Sequence, residues 1–580
     1  MIVLGIIDSK PSSAAILKDG QILSAIAEER LCRMKMASGM PRQAIGQVMV
    51  DAGITAEDID LVAVAQKVSV FEPDPIPWNG WFDKNHAGKP RPFEKISGAL
   101  APIAGYIPFA QKAHHQIKDV LSRKRLSQIP EYLEEEYRIK APVKYYDHHF
   151  CHATGTYYTS NYDKALVVTL DGGGDGLSGS VYQGENGKLT RLSAVDSFNS
   201  LGNFYSYITH LSGFKAESHE GKITGLAALG KPAYIDILRE VVSYKEPGQI
   251  QYVVPMYHRS ALKQIASRLP ENFDKVDLAA SVQLLLEEIG IQFIQYWLQK
   301  TGIRSIAVAG GVFSNVKFNQ RVHELPEVDN FFVHPAMDDS GLAVGGAFAA
   351  LASESGIDPK SLSQHLTNVY FGTSYTDDEI CNSIDAFGFE ATHESNITDV
   401  IAQLLADGHV VARFTGRMEY GPRALGHRSI LYQTTDPSIN DWLNERLLRT
   451  EFMPFAPATI QEYADDCFDG LDGARDSARY MTITFNCTET MRAQSPGVVH
   501  VDGTARPQIL DPDTAPDFYK IGVAYHKLTG IPSLINTSFN MHGEPIVCTP
   551  EDALRSFKDG RLDFLAIGNW LIANPELNKN

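Results

Sequence analysis

The stretch Asp147-His148-His149-Phe150-Cys151-His152, followed closely by Ala165-Leu166-Val167-Val168-Thr169-Leu170-Asp171-Gly172-Gly173-Gly174-Asp175-Gly176, constrains this chain more than any other. Residues 165–170 read as a buried strand. That strand delivers Asp171 at its carboxyl end, ahead of a glycine-rich turn whose N–H groups can approach phosphate oxygens. His148 and His152 are four apart, so a helix there places both imidazoles on one face, where they can share a metal ion. Two imidazoles with carboxylate oxygen suit Fe(II), Zn(II) or Mn(II) rather than Ca(II). Chance is the competing explanation, because 18 His among 580 residues generate some such pairs. The nearby Asp171 is what favours a ligand set.

A chain of 580 residues with 44% apolar content supports two or more domains with full cores. The formal charge of −18 opposes broad docking on nucleic acid or anionic lipid, while leaving room for a local basic pocket. Cys32, Cys151, Cys381, Cys467, Cys487 and Cys548 are scattered without a C-x-x-C pair, which argues against a zinc ribbon or disulfide framework and fits a reducing compartment. The amino terminus lacks the basic flank and apolar length of a secretion signal. The apolar stretch from Ile96 to Ala110 carries Pro102 and Pro108 and falls short of the roughly 20 residues that span a bilayer. The expectation is a soluble cytoplasmic protein.

Residues 2–8 and 21–27 read as two strands joined by a turn at Lys18-Asp19-Gly20, with Asp8, Ser12, Ser13 and Ala14 nearby, as actin-like ATPase folds begin. Glu28-Glu29-Arg30, Arg33 and Lys35 then suit a solvated edge or an anion contact equally. Residues 71–95 are rich in Pro, Gly and aromatics and open an insertion running to about residue 136, in the manner of a lid or binding element. In Glu220 to Gly230, Lys222 among small residues suits close approach to an anionic ligand. Asp277 to Lys300 reads as an amphipathic helix burying Val282, Leu285, Leu286, Ile289, Phe293 and Trp297. The strand Ser305–Ala309 runs into Gly310-Gly311 and Asn315, a second place for a nucleotide against backbone. Asp338 and Asp339 precede a small-residue helix from Leu342 to Ala350, and either completes a metal set. Residues 352–376 mark the domain boundary. Beyond them Arg413, Arg417, Arg423, Arg428, Arg446 and Arg449, broken by Gly and Pro, favour phosphate or carboxylate binding over a solvated charged surface. Asp502 to Gln508 and Asn536 to Asn540 add small polar donors suited to a nucleotide pocket.

Taken together, these blocks resemble the NodU/CmcH carbamoyltransferase family over nearly the whole chain. The landmarks are Glu28-Glu29-Arg30, His148-x-x-x-His152, Leu170-Asp171-Gly172, Gly221-Lys222 with Gly225-Leu226-Ala227, Gly310-Gly311-Val312 with Asn315, and Asp339-Ser340-Gly341. They continue with Gly416 to Ser429, Phe452 to Pro457, Asp502 to Gln508 and Asn536-Thr537-Ser538-Phe539-Asn540. The resemblance implies an α/β protein: an actin-like ATPase-type domain over 1–360, akin to that of the tRNA threonylcarbamoyl transferases, then a YrdC-like α/β domain over 361–580. It implies that the second domain joins carbamoyl phosphate and ATP, with Mg, into a carbamoyl adenylate. The first domain then passes the carbamoyl group to a hydroxyl of a small molecule or sugar in biosynthesis and releases AMP.

The same resemblance carries His148, His152, Asp171 and Asp339 over as ligands of a divalent metal, Fe(II) or else Zn or Mn, with Asp338 as the nearby alternative to Asp339. It carries Lys222, Gly310, Gly311, Asn315, Arg417, Arg423, Arg449, Arg506 and Asn536 over to nucleotide and carbamoyl phosphate binding, with Arg423 and Arg449 acting in catalysis. The chain departs from the family twice. Lys10-Pro11 stands where many members place a His, so Lys10 acts as the base, another group takes the proton, or transfer is altered. Leu447 and Leu448 stand before Arg449, where relatives often supply a Lys. The expected partner is a hydroxylated small-molecule acceptor, without nucleic acid or membrane; oligomeric state is open, a homodimer included. The competing readings are a tRNA threonylcarbamoyl-transferase-like enzyme, and a nucleotide-binding regulatory protein that has lost transfer.

Overall fold

The computed structural model describes residues 1–68, 71–78, 82, 122, 125–254, 256–447 and 455–575. Its first sheet joins β1 (Ile2–Ile7), β2 (Ser13–Lys18), β3 (Gln21–Ala27), β4 (Leu61–Val64) and β5 (Val143–Tyr145) in the order β3-β2-β1-β4-β5. The middle strand β2 is antiparallel to both β1 and β3, and β4 and β5 continue parallel to β1. The sequence reading placed the Asp19-Gly20 turn between residues 2–8 and 21–27. In the structure that turn links β2 to β3, both of its residues having positive φ, and β2 lies between the two expected strands. Ser13-Ala14-Ala15-Ile16-Leu17-Lys18 was missed because it shows no apolar–polar alternation: its first five residues are all buried.

The second sheet repeats this plan. It is built from β6 (Lys164–Gly174), β7 (Leu177–Glu185), β8 (Lys188–Asp196), β11 (Ser305–Ala309) and β12 (Asn330–Val333), numbered past the separate hairpin β9 (Val242–Lys245) and β10 (Gln249–Tyr252). The order β8-β7-β6-β11-β12, again three antiparallel strands followed by two parallel ones, matches the first sheet strand for strand. Residues 165–170 are buried throughout, as their unbroken apolar run requires.

Between α1 (Glu28–Cys32) and α2 (Arg42–Ala52) at one end and the later helices, the chain places α3 (His148–Thr159), α4 (Leu201–Leu211), α5 (Glu220–Ala227), α6 (Lys275–Thr301), α7 (Val316–His323) and α8 (Leu342–Glu354). Helix α8 covers the first sheet, α3 covers the second, and the two pack directly on one another between them. The contact is backbone-close: a Cβ at Gly345 would stand 2.0 Å from the Cys151 carbonyl oxygen. The apolar stripe expected on α6 is buried in full, from Val282 to Trp297.

Residues 355–376 lead into an eight-stranded sheet, in the order Thr392–His393, Trp570–Ala573, Phe564–Ile567, Val411–Phe414, Arg428–Tyr432, Ser533–Ser538, Ala456–Ile460 and Gln508–Leu510. A small three-stranded sheet (Phe468–Asp469, Phe485–Cys487, Thr504–Ala505) reaches back to the second sheet. There Phe331 donates its N–H to the Gly473 carbonyl (2.7 Å) and Asn319 its amide to the Thr482 carbonyl (2.7 Å). The molecule is thus a mixed α/β protein whose two parts share buried contacts. Among the described residues no helix is long and apolar enough to cross a membrane.

Of the insertion expected over about 71–136, most lies outside the described residues. Its far end, the helix Ile129–Tyr137, buries Ile129 and Leu133 against the first sheet. Of the residues read as solvated edge or anion contact, Glu28 and Arg33 serve as internal struts, as does Arg30, while Glu29, Arg30 and Lys35 also line the cavity described below. Glu28 accepts the Ala44 N–H (2.7 Å), Arg30 donates to the Gly421 carbonyl (3.0 Å), and Arg33 donates to those of Ile546 (2.7 Å) and Pro545 (2.8 Å).

Candidate metal centre and the cavity around it

Helix α3 starts where its sequence says it should. The Asp147 carboxylate caps it by accepting the Phe150 N–H (3.0 Å), and the free His148 N–H is taken by Asp175 (2.9 Å). One turn further on is His152, so both imidazoles leave the same face, their rings 4.9 Å apart. His149 points elsewhere, with Nδ1 2.9 Å from Thr169 Oγ1. The end of β6 sets Asp171 opposite this pair: its Oδ2 lies 3.1 Å from His148 Nε2 and 3.9 Å from His152 Nε2. Its Oδ1 is anchored by the Gly311 N–H (3.0 Å). From the short turn Asp339–Gly341, Asp339 Oδ1 completes the group, 3.6 Å from His148 Nε2 and 3.4 Å from His152 Nε2, while its Oδ2 accepts the Ser9 hydroxyl (2.9 Å). Asp338, the alternative, is spent as a cap, accepting the Ser340 N–H (3.0 Å).

One atom from each of His148, His152, Asp171 and Asp339 lies within 4.8 Å of all the others. Two imidazoles and two carboxylates make a donor set for a first-row divalent ion. His152 Nε2 supplies an independent indication, because it is buried and makes no hydrogen bond. A buried polar atom without a partner is costly unless something else takes its lone pair. The residues therefore fit a metal.

Electrostatics without the ion agree. Burial favours a neutral His148, but Asp339 and Asp171 outweigh it and push the ring up to about 9. His152 moves the same way against its own burial, through Asp171 and Asp339. Asp171 is held well below the usual carboxylate range despite burial, by His148 and His152. The nearby His334, by contrast, is pushed down to about 4 by burial. The four-residue group behaves as an anionic nest that takes up positive charge.

Glycines shape this nest. A Cβ at Gly174 would sit 2.2 Å from the His148 ring, and one at Gly311 2.8 Å from Asp171 Oδ1. Gly172 to Gly174, read from the sequence as a turn, instead continue β6 past a break in register after Leu170, and Gly174 there makes room for a ligand histidine. Above the nest opens a cavity of about 780 Å³, with His148, Asp171 and Asp339 on its floor and residues of both parts of the chain on its walls.

The other expected site residues divide around this cavity. Lys10, Gly311, Asn315 and Arg423 line it. Lys10 pairs with Glu217 and lies over the Trp78 ring, 3.6 Å from its centre. Asn315 caps α7 through the Phe318 N–H (3.0 Å) and donates to Gln283 (2.7 Å). Gly310 turns the chain with φ +104°, and a side chain there would strike the Leu170 carbonyl. Lys222 is buried on α5 and is off the cavity wall. Arg417 spends its guanidinium on the carbonyls of Phe371 (2.6 Å), Leu23 (2.9 Å) and Gly372 (3.0 Å). Asn536 is buried and supports the loop after Arg423, donating to the Ala424 carbonyl (3.1 Å) and to Gln508 (2.7 Å). Arg506 is half-buried near Gln508 and off the wall. Arg449 and Leu448 lie outside the described residues.

Sequence reasoning overlooked Ser9 and Glu217. Ser9 adjoins Lys10, already singled out in the sequence, which was a usable hint. Glu217 stands three residues before Glu220 and had no pattern to mark it.

A family model described as carbamoyltransferase N-terminus matches residues 3–348, and one described as carbamoyltransferase C-terminus matches residues 402–574. An uncharacterized protein of Methanocaldococcus jannaschii is 31% identical over 584 residues, covering 98% of this chain and 99% of that one. Nodulation protein NolNO of Sinorhizobium fredii is 30% identical over 576 residues, 97% of this chain and 79% of its own. Among solved structures, HypF from T. kodakarensis aligns with 63% of this chain and 49% of its own, at 13% identity and a TM-score of 0.34, a likeness too slight to decide the fold.

Proposed function

The chain belongs to the carbamoyltransferase family, and from that premise we propose that it activates carbamoyl phosphate with ATP as a carbamoyl adenylate, releasing pyrophosphate and inorganic phosphate, and passes the carbamoyl group to a hydroxyl of a small-molecule or sugar acceptor. The observation that carries this reading is the shared cavity: metal-ligand side chains on its floor come from the first part, and Arg423, Ser538 and Asn540 on its wall come from the second. Such a chamber suits a reaction whose reactive intermediate is made by one part and consumed by the other, because it shields that intermediate from water.

The twice-repeated sheet order supports an actin-like first domain, and the mixed sheet from Thr392 to Ala573 is the candidate YrdC-like domain. His148, His152, Asp171 and Asp339 would hold a divalent ion, which when bound supplies a Lewis acid beside the transferring group. Gly172 to Gly174 line the same wall, with no side chains to hold a phosphate away from it. Arg423 lines the same space from the second part of the chain. The seating of Ala424 on Asn536, and of Leu425 on Gln508 (2.9 Å), fixes the loop that carries it.

Pyrophosphate release tests the first step. The metal-loaded protein given ATP and carbamoyl phosphate is expected to release pyrophosphate, and omitting carbamoyl phosphate should abolish it. Equal release without carbamoyl phosphate would sink the reading.

A further inference from the structure

The carboxylates on the cavity wall differ in what holds them. Asp171 and Asp339 belong to the metal nest, and Asp338 caps its turn. Asp175 accepts three backbone N–H groups, from Lys67, Val68 and His148 (2.8–2.9 Å). Glu29 accepts the Met36 N–H (2.8 Å), and Glu220 takes the Ser206 hydroxyl (2.7 Å) and the Glu217 N–H (2.6 Å). Glu544 pairs with Arg555 (3.2 Å) and Arg33 (3.7 Å). Each of these is occupied by donors that define its place.

Glu217 differs. Its carboxylate meets the ammonium of Lys10, a partner on a long flexible stem. Its backbone sits at φ +61°, a conformation that non-glycine side chains rarely adopt and that recurs where a side chain must be aimed. That turn is pinned by the Glu217 N–H on Glu220, so the strain is maintained by a neighbour on the same wall. Lys10, for its part, lies between a carboxylate and the Trp78 ring, both of which are partners for a cation rather than for a neutral amine.

We propose that Glu217 is the general base of the transfer step, accepting the acceptor's hydroxyl proton, and that Lys10 positions it. This rests on the carbamoyl-transfer reading above. In the step, the acceptor O–H breaks as its oxygen bonds to the carbamoyl carbon. The bond from that carbon to the adenylate phosphate oxygen breaks, AMP departs with the electron pair, and the proton stays on Glu217 until solvent removes it. Burial, partly offset by Lys10, moves Glu217 above the ordinary carboxylate range, the direction that strengthens a base. The charged and titrating groups facing it are Lys10 and Glu220, with Asp171, Asp339 and the Tyr207 phenol further off.

The experiment uses the metal-loaded protein with ATP and carbamoyl phosphate in a single turnover, water serving as the acceptor probe, and reads AMP and pyrophosphate separately at early times, before released adenylate can hydrolyse. Glu217→Gln keeps the side chain's size and should lower AMP released per pyrophosphate by about a hundredfold, the scale of general base catalysis, at unchanged metal content. Glu217→Asp, which keeps a carboxylate, should restore part of that ratio and guards against misfolding as the cause. Lys10→Met should keep transfer but move the acidic limb of its pH profile upward, because the base loses its cation. A wild-type ratio in Glu217→Gln, or transfer abolished by Lys10→Met and kept by Glu217→Gln, overturns the assignment. Absence of pyrophosphate from the unaltered protein instead overturns the underlying reading, and this assignment with it.

Discussion

Asp171 divides its two oxygens between tasks: Oδ1 is fixed by the Gly311 N–H and Oδ2 faces both imidazoles. Removing its charge while keeping its shape isolates the second task. Asp171→Asn is expected to reduce bound metal per chain at least tenfold, by elemental analysis after dialysis, the scale seen even for residues that only support ligands. Metal content equal to wild type would show that the nest is not the site. Proton counting supplies a second test. Without metal, His148 is raised to about 9, so at pH 7 the ring is protonated, and a metal requires it neutral. Loading the metal-free protein at pH 7 should therefore release at least one proton per ion, an output that fades as pH rises past 9. The sign for stability follows: a raised histidine stabilises the metal-free fold below about 6.5, and that contribution is lost as pH rises through about 9. At this scale the i,i+4 histidines and the strand-end aspartate were legible because their spacing is local. The Lys10–Glu217 pair was not, since nothing in a sequence indicates which of 70 acidic residues will meet a given lysine.

Helices and strands were legible where their apolar period matched one buried face, as in α6, and illegible where burial is two-sided, as in β2. The arginine-rich block shows a different limit. Its density indicated anion binding, yet Arg417 and Arg428 are tied to backbone carbonyls and Glu419 accepts the N–H groups of Leu425, His427 and Arg428 (2.8–3.0 Å). The motif holds its own loop in shape, and Arg423 is the member it presents to the cavity. Element packing also sets the metal nest, because α3 is held against α8 at Gly345. Gly345→Ala forces a methyl group into the Cys151 carbonyl, and neither helix backbone yields cheaply. The substitution is expected to cost about 1–3 kcal/mol, read as a lower denaturation midpoint, with weakened metal retention because α3 carries two ligands. An unchanged midpoint would mean that the two helices slide apart freely.

At the scale of the molecule, the cavity exists only while the two parts remain closed on each other, and Arg33 is a principal fastener. From the end of α1 it donates to the carbonyls of Ile546 and Pro545, two residues of the cavity wall, and its Nε lies 3.2 Å from Asp552. Arg33→Met keeps much of the stem's volume and removes these bonds, leaving two carbonyls and a carboxylate to find water. Hydrogen bonds to charged groups are worth about 1.5–3 kcal/mol each, and partial exposure of this cluster lets solvent recover some of that, so a loss of about 2–3 kcal/mol is expected. A structural fastener and a chamber seal make different further predictions. If Arg33 only stabilises the fold, carbamoylated product per pyrophosphate should stay at the wild-type ratio at temperatures where the variant is folded. If it also seals the chamber, the adenylate escapes before its carbamoyl group is delivered to an acceptor. The carbamoylated product formed per pyrophosphate then falls, and falls further when a scavenging nucleophile is added outside. Because the wall it holds faces the metal nest across one continuous space, the second outcome is the one expected.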